Sequence, residues 1–172
     1  MRGAGRDFAA GADIDEFAQL RSDPSQGRRY HLETIANALT AIGDCPLPVV
    51  AAIEGVCVGG GLEVAVACDL RIAADTARIG APVGRLGFPF AWPELVPLLR
   101  LAGPGVAAEL LLEGRLLDAH EAAARGLVTR AVAADRFEVE VQECAARICA
   151  GSPRSARENK AAIRRLTASG GV

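Results

Sequence analysis

Apolar residues in this chain come in short runs punctuated by glycine and proline, and the longest such pattern, PVVAAIEGVCVGGGLEVAVACDLRIAAD at 48–75, organises the rest. Residues 49–53 are β-branched, apolar and few, which suits a strand buried on both faces. Three glycines, Gly59 to Gly61, then interrupt the run; an apolar helix and a further strand follow. Upstream, Leu32, Ile35, Leu39 and Ile42 recur at helical spacing and predict a helix over 28–42 with one buried face, ended by Gly43. Downstream the pattern predicts a short strand at 77–80, an irregular loop at 82–93, and helices at 92–101 and 104–113 separated by Ala102 and Gly103. A capped helix starts at Asp118, with Glu121 three residues on, and a brief strand follows at 127–130. Helices at 134–149, with Phe137, Val141, Ala145 and Ile148 as core stripe, and at Pro153–Ala168 finish the chain.

Composition adds limits more than detail. With 172 residues, 51% of them hydrophobic, the chain is long enough for one ordinary core, and one domain is the economical reading. The net charge of −2 and the scattered arginines imply neither a nucleic-acid groove nor binding to an anionic membrane surface. No signal peptide and no apolar run long enough to span a bilayer stands out, so a cytoplasmic protein is expected. Cys45, Cys57, Cys68, Cys144 and Cys149 are odd in number and lack C-x-x-C spacing, which fits reduced thiols and no metal site. His31 and His120 have no partner at metal-ligand spacing, and His31 reads as a surface residue; without G-x-S-x-G, a Ser-His-Asp hydrolase has little support.

Candidate chemistry concentrates at the triple glycine. Free backbone N–H groups and the positive end of a helix dipole would stabilise an anion or a developing oxyanion there. No Gly-Lys-Ser/Thr follows and G-x-G-x-x-G is not matched, so the ligand is something other than a nucleotide pyrophosphate. Glu63 stands in the first turn with apolar neighbours, either as a partly desolvated acid/base or as a cap for its own helix. Near the N-terminus, Ala9, Ala10, Gly11 and Ala12 let a backbone approach a ligand, or simply make a surface turn, and Arg6 is a possible phosphate contact. Phe88, Phe90 and Trp92, in the 82–93 loop, could wall an apolar pocket or anchor the loop on the core.

Two segments, FAAGAD at 8–13 and AIEGVCVGGGLEVAVACDLRIA at 52–73, closely resemble the crotonase family, the enoyl-CoA hydratase/isomerase superfamily, and LLLEGRLLDAHEAAARGLVTRAV at 110–132 looks like its continuation. The resemblance implies an α/β spiral of strand–strand–helix units, the core at 1–133 with a C-terminal helical region at 134–172, that binds a coenzyme A thioester. By motif position the thioester oxygen would lie between the N–H groups of Ala12 and Gly60, beside Gly59, with Ala10, Ala12 and Ile14 lining the adenine site and Arg6 near the coenzyme's phosphates. Glu63 matches one of the two glutamates that act as acid and base in the hydratases; the second falls at Val83, which cannot move a proton. No cofactor is implied, since coenzyme A is part of the substrate. The family pattern also implies a homo-oligomer, a trimer or dimer of trimers, and suggests that strands ahead of Arg2 and helices after Val172 are missing.

The expected function is thus enolate-stabilising chemistry on an acyl-CoA thioester with Glu63 as acid/base. The alternative, which Val83 keeps open, is a non-catalytic acyl-CoA-binding or interaction protein.

Overall fold

A computed structural model describes residues 1–13, 23–87 and 89–168. Among the described residues six strands form two three-stranded sheets. They are β1 (Val50–Ile53), β2 (Val56–Val58), β3 (Leu70–Ala74), β4 (Arg78–Gly80), β5 (Leu116–Asp118) and β6 (Arg130–Val132). One sheet runs β1-β3-β6, all parallel; the other runs β2-β4-β5, with β4 parallel to β2 and antiparallel to β5. The first four strands therefore alternate between sheets: β1 and β2, split at Glu54 and Gly55, enter different layers, and so do β3 and β4. Helix α3 (Gly60–Ala67) connects the first pair to the second, which makes one strand–strand–helix turn of a spiral.

The sheet β1-β3-β6 is buried on both faces, which is why β1 shows no polar alternation. Ala51 and Ile53 point into the larger core with Leu62, Ala65, Ile79, Leu117 and Leu127, while Ala52, Ile72 and Ala74 pack against Phe137 and Cys144. Arg71 is buried on the side of the larger core, donating to the carbonyls of Cys68 (2.6 Å) and Ala65 (3.4 Å) at the C-terminal end of α3, and to that of Leu127 (3.0 Å). It satisfies carbonyls that a helix end leaves open and fixes α3 against β3.

Several elements differ from the sequence reading. The helix over 28–42 begins earlier, as α1 (Pro24–Arg29), passes through a π-helical segment Tyr30–Ile35, and continues as α2 (Ala36–Asp44). A π turn takes more residues than an α turn, so it rotates the apolar stripe out of register. Leu32 is exposed as a result, and of the four stripe residues only Ile42 packs on the main core. Leu127 and Val128 are buried, but their N–H groups close the preceding helix on Ala122 O (2.8 and 3.2 Å), so the strand forms at Arg130–Val132 instead of 127–130. The short strand β2 was hidden inside the glycine-interrupted run, and Ala77 belongs to the turn before β4.

Helix α4 (Trp92–Ala108) contains the expected break, with Gly103 at φ 77°, and runs on into a π-helical Glu109–Glu113. Taken together, Trp92–Glu113 is 22 residues long and apolar enough to cross a bilayer by length and composition, a run that cutting at Gly103 conceals. Of its apolar side chains Leu98, Ala107 and Leu110 are buried in the core, while Trp92, Leu99 and Leu112 are exposed. After α5 (Ala119–Ala124) come α6 (Phe137–Cys149) and α7 (Pro153–Ala168). On α6, Cys144 and not Ala145 occupies the buried stripe with Phe137. Lys160 pins α7 to the core, donating to Asp69 Oδ2 at 2.6 Å and Leu47 O at 2.9 Å.

Candidate functional site

The N-terminal segment lies alongside β2. Phe8 N–H donates to Glu54 O (2.9 Å), Ala9 N–H to Val56 O (3.0 Å), and Val58 N–H back to Ala9 O (3.0 Å), a parallel pairing centred on Ala9 and Cys57. Buried Phe8 anchors this pairing. Continuing in step, Gly11 and Ala12 come to rest against Gly59 and Gly60 at the start of α3. The approach is close: a Cβ on Gly11 would lie 3.2 Å from Val58 O and 3.3 Å from Gly60 N, and one on Gly60 would lie 3.9 Å from Ala12 N. Gly11 (φ 99°) and Gly59 (φ 53°) both adopt left-handed backbone that other residues rarely take. Gly60 opens the helix, so its N–H belongs to the first turn, where no intrahelical acceptor exists.

Glu63 follows one turn on, partly buried between buried Leu62 and Ala65. Burial first, and the charge of Glu94 second, push its carboxyl up from 4.5 to about 8. Among the described residues no N–H group is bonded to that carboxyl, so the helix-capping reading finds no bond to rest on. Behind it, on β2, burial pushes the Cys57 thiol up to about 12, which leaves it neutral.

The sequence reading passed over Glu94 and placed His31 at the surface. Glu94 sits in the first turn of α4, 4% exposed, with Oε2 accepting from Ala91 N–H (3.0 Å) and Oε1 bonded to His31 Nδ1 (2.6 Å). Only a Glu in a first turn after a proline was visible in the sequence, and that pattern signals a cap. Its link to a histidine 63 positions away had no local signal.

Val83 is buried in the 3₁₀ turn Pro82–Leu86, and no carboxylate replaces it there. Arg6 and Ala10 are exposed, and the Arg6 carbonyl abuts Gly55, so Arg6 lies at the opposite end of β2 from Gly60. Ile14 and Phe88 fall outside the described residues. Phe90 packs on the core, an anchor, whereas Trp92 is 77% exposed.

Residues 1–170 match the sequence profile of the family described as Enoyl-CoA hydratase/isomerase. A Mycobacterium bovis protein named "Probable enoyl-CoA hydratase" is 38% identical over 96% of this chain and 62% of its own length. The short-chain-enoyl-CoA hydratase of Clostridium acetobutylicum is 33% identical with the same coverage of both chains, 96% and 62%. A solved structure, an enoyl-CoA hydratase/carnithine racemase from Magnetospirillum magneticum, superposes with TM-score 0.92 and 49% identity over 96% of this chain and 62% of that one. The chain thus spans about three fifths of the length of these relatives. With the strand–strand–helix spiral of the fold and a profile match along nearly its whole length, the chain belongs to the enoyl-CoA hydratase/isomerase family.

Proposed function

We propose that this chain binds an acyl-CoA thioester at the junction of the 9–12 loop and α3 and catalyses proton transfer at the carbon next to the carbonyl. The observation that carries the reading is the close approach of the Ala12 and Gly60 backbones beside Glu63. Two N–H groups converging at a helix N-terminus stabilise negative charge on a thioester oxygen, and such preorganised donors contribute most when charge develops in the transition state. Family membership and the names of the relatives support the substrate class.

In this reading Glu63 carries its proton near neutrality, being raised to about 8. For hydration, water adds to the β-carbon of an enoyl thioester and the electron pair moves to the oxygen held by Ala12 and Gly60. Glu63 gives its proton to the α-carbon, and its carboxylate then takes one from the added water. For isomerisation the same carboxylate removes a proton from one carbon and returns it to another. Arg6, Ala10 and Ile14 hold the distal part of the coenzyme, and further copies of the chain cover exposed apolar side chains such as Leu112 and Ile163. Val83 favours a second reading in which the thioester is held but not turned over.

Turnover of short-chain enoyl-CoA thioesters by the purified protein, followed as loss of enoyl absorbance, tests this. Glu63→Gln should abolish the rate while keeping affinity. Binding without any turnover by the parent would favour the second reading, and no binding would overturn both.

A further inference from the structure

Strand β3 is the middle strand of a parallel sheet buried on both faces, and such strands read as unbroken apolar runs. Arg71 breaks this one, between Leu70 and Ile72. Among the described residues three charged side chains are buried: Lys160 faces Asp69 at 2.6 Å, Glu94 faces His31 at 2.6 Å, and Arg71 is bonded to carbonyl oxygens alone. Burying a cation away from any carboxylate is unfavourable, and glycine or water closes most helix ends without one.

The place of this cation is fixed from both sides. Arg71 N–H donates to Thr129 Oγ1 (3.0 Å) and Arg71 O accepts Thr129 N–H (2.9 Å), which clamps the backbone that carries the side chain. The 2.6 Å bond to Cys68 O leads out of α3, because the same peptide's Asp69 N–H donates to Val49 O (2.9 Å). The bond to Ala65 O leads into it. The peptide of Ala65 O also carries Val66 N–H, which in α-helical geometry donates to Leu62 O. The peptide of Leu62 O carries Glu63 N–H, which donates to Gly59 O at 3.1 Å. That last peptide carries Gly60 N–H, the donor at the open end of the helix. One row of hydrogen-bonded peptides thus joins the guanidinium to the candidate site.

We propose that Arg71 is a positioning residue for that site: its charge polarises the row through Ala65, Leu62 and Gly59 and makes Gly60 N–H a stronger donor, which rests on the reading above that Gly60 holds the thioester oxygen. Hydrogen-bonded peptides polarise one another, and a cation at the C-terminal end of a helix acts in the same sense as the helix dipole. Arg71 acts across the length of α3, about 12 Å for its 8 residues.

The test compares Arg71→Gln, which keeps a donor and loses the charge, with Arg71→Lys, which keeps the charge. Both lose the guanidinium fork, so a purely structural role would lower Tm in both and leave the Gly60 amide unmoved in the folded protein. Polarisation instead moves the Gly60 amide ¹⁵N and ¹H signals upfield in Arg71→Gln and leaves them near the parent in Arg71→Lys. Turnover of a short-chain enoyl-CoA thioester should follow: kcat about 10-fold lower in Arg71→Gln with KM little changed, against the roughly 10²–10³ lost with a whole oxyanion donor, and largely restored by lysine. A Gly60 amide unmoved in folded Arg71→Gln, or moved equally in Arg71→Lys, overturns the proposal. If Arg71→Gln fails to fold, the parent decides through its ¹⁵N–¹³C′ couplings across hydrogen bonds. Those from Val66 to Leu62 and from Glu63 to Gly59 should exceed the mean along α6, and couplings no larger overturn the proposal. Upfield movement in a protein that binds no thioester would uphold the row and refute the acyl-CoA reading, so the two fail separately.

Discussion

Gly61→Ala adds one methyl group where the N-terminal segment crosses the start of α3. The new Cβ would run into Ala9 O and lie 2.8 Å from Ala9 Cβ, against about 3.5 Å for comfortable carbon contact. The segment must therefore retreat by roughly 0.7 Å or more. It is backbone, not a flexible side chain, and Ala9 O is already held by Val58 N–H at 3.0 Å, so retreat weakens the ladder that places Ala12. Overpacking of this kind costs up to about 3 kcal/mol, and alanine's better helix propensity returns about 1 kcal/mol. The remaining ~2 kcal/mol should lower Tm by about 4–8 °C in a domain of this size. Turnover should fall further than stability, by about 10²-fold, because Ala12 moves with the segment and a misplacement of about 1 Å has that effect. Gly60→Ala is the control: its Cβ meets nothing nearer than 3.7 Å, so it should melt at or slightly above the parent and keep its N–H. Thermal melts by circular dichroism and the enoyl-absorbance assay measure both variants. A Gly61→Ala protein with parental Tm and rate, or a Gly60→Ala protein worse than it, would refute the packing argument.

Other variants probe the carboxylates and the C-terminal helix. Folding raises Glu63 from 4.5 to about 8, so its stabilising contribution is complete below about pH 4.5 and is lost as pH rises through about 8. The parent should lose more stability between about pH 5 and about pH 9 than Glu63→Gln does, as read from urea midpoints; equal losses would contradict this. Val83→Glu should speed hydration of a crotonyl-type thioester, by up to the roughly 10²-fold or more that a second acid/base group contributes, at some expense of stability because position 83 is buried. A folded variant no faster than the parent would sink that expectation. Lys160→Ala leaves Asp69 without its cation and should cost about 3 kcal/mol; a loss below about 1 kcal/mol would mean the pair does not pin α7.

Local pattern was enough to read the glycine turn, the helix behind it with Glu63 in its first turn, the Asp118 cap, the break at Gly103 and the final helix at Pro153–Ala168. Each depends on residues within a turn or two: Asp118 Oδ1 accepts Glu121 N–H at 2.8 Å, and Gly103 takes a left-handed φ that ends a helix. The apolar runs read locally as strand, turn, helix and strand, and the α/β spiral they belong to was implied by the resemblance of 8–13, 52–73 and 110–132 to a known family.

What tertiary structure decided was register and long-range pairing. Whether Leu127 joined a strand depended on Ala122 O capturing its N–H, and the stripe at Leu32 lost its register to a π turn. The convergence of the Ala12 loop with Gly60 depends on pairing across 48 positions between Ala9 and Cys57. The His31–Glu94 bond spans 63 positions. A chain's local pattern reports which face each residue can bury, but a buried carboxylate becomes tolerable only once the fold has brought its partner, and no neighbouring residue encodes that meeting.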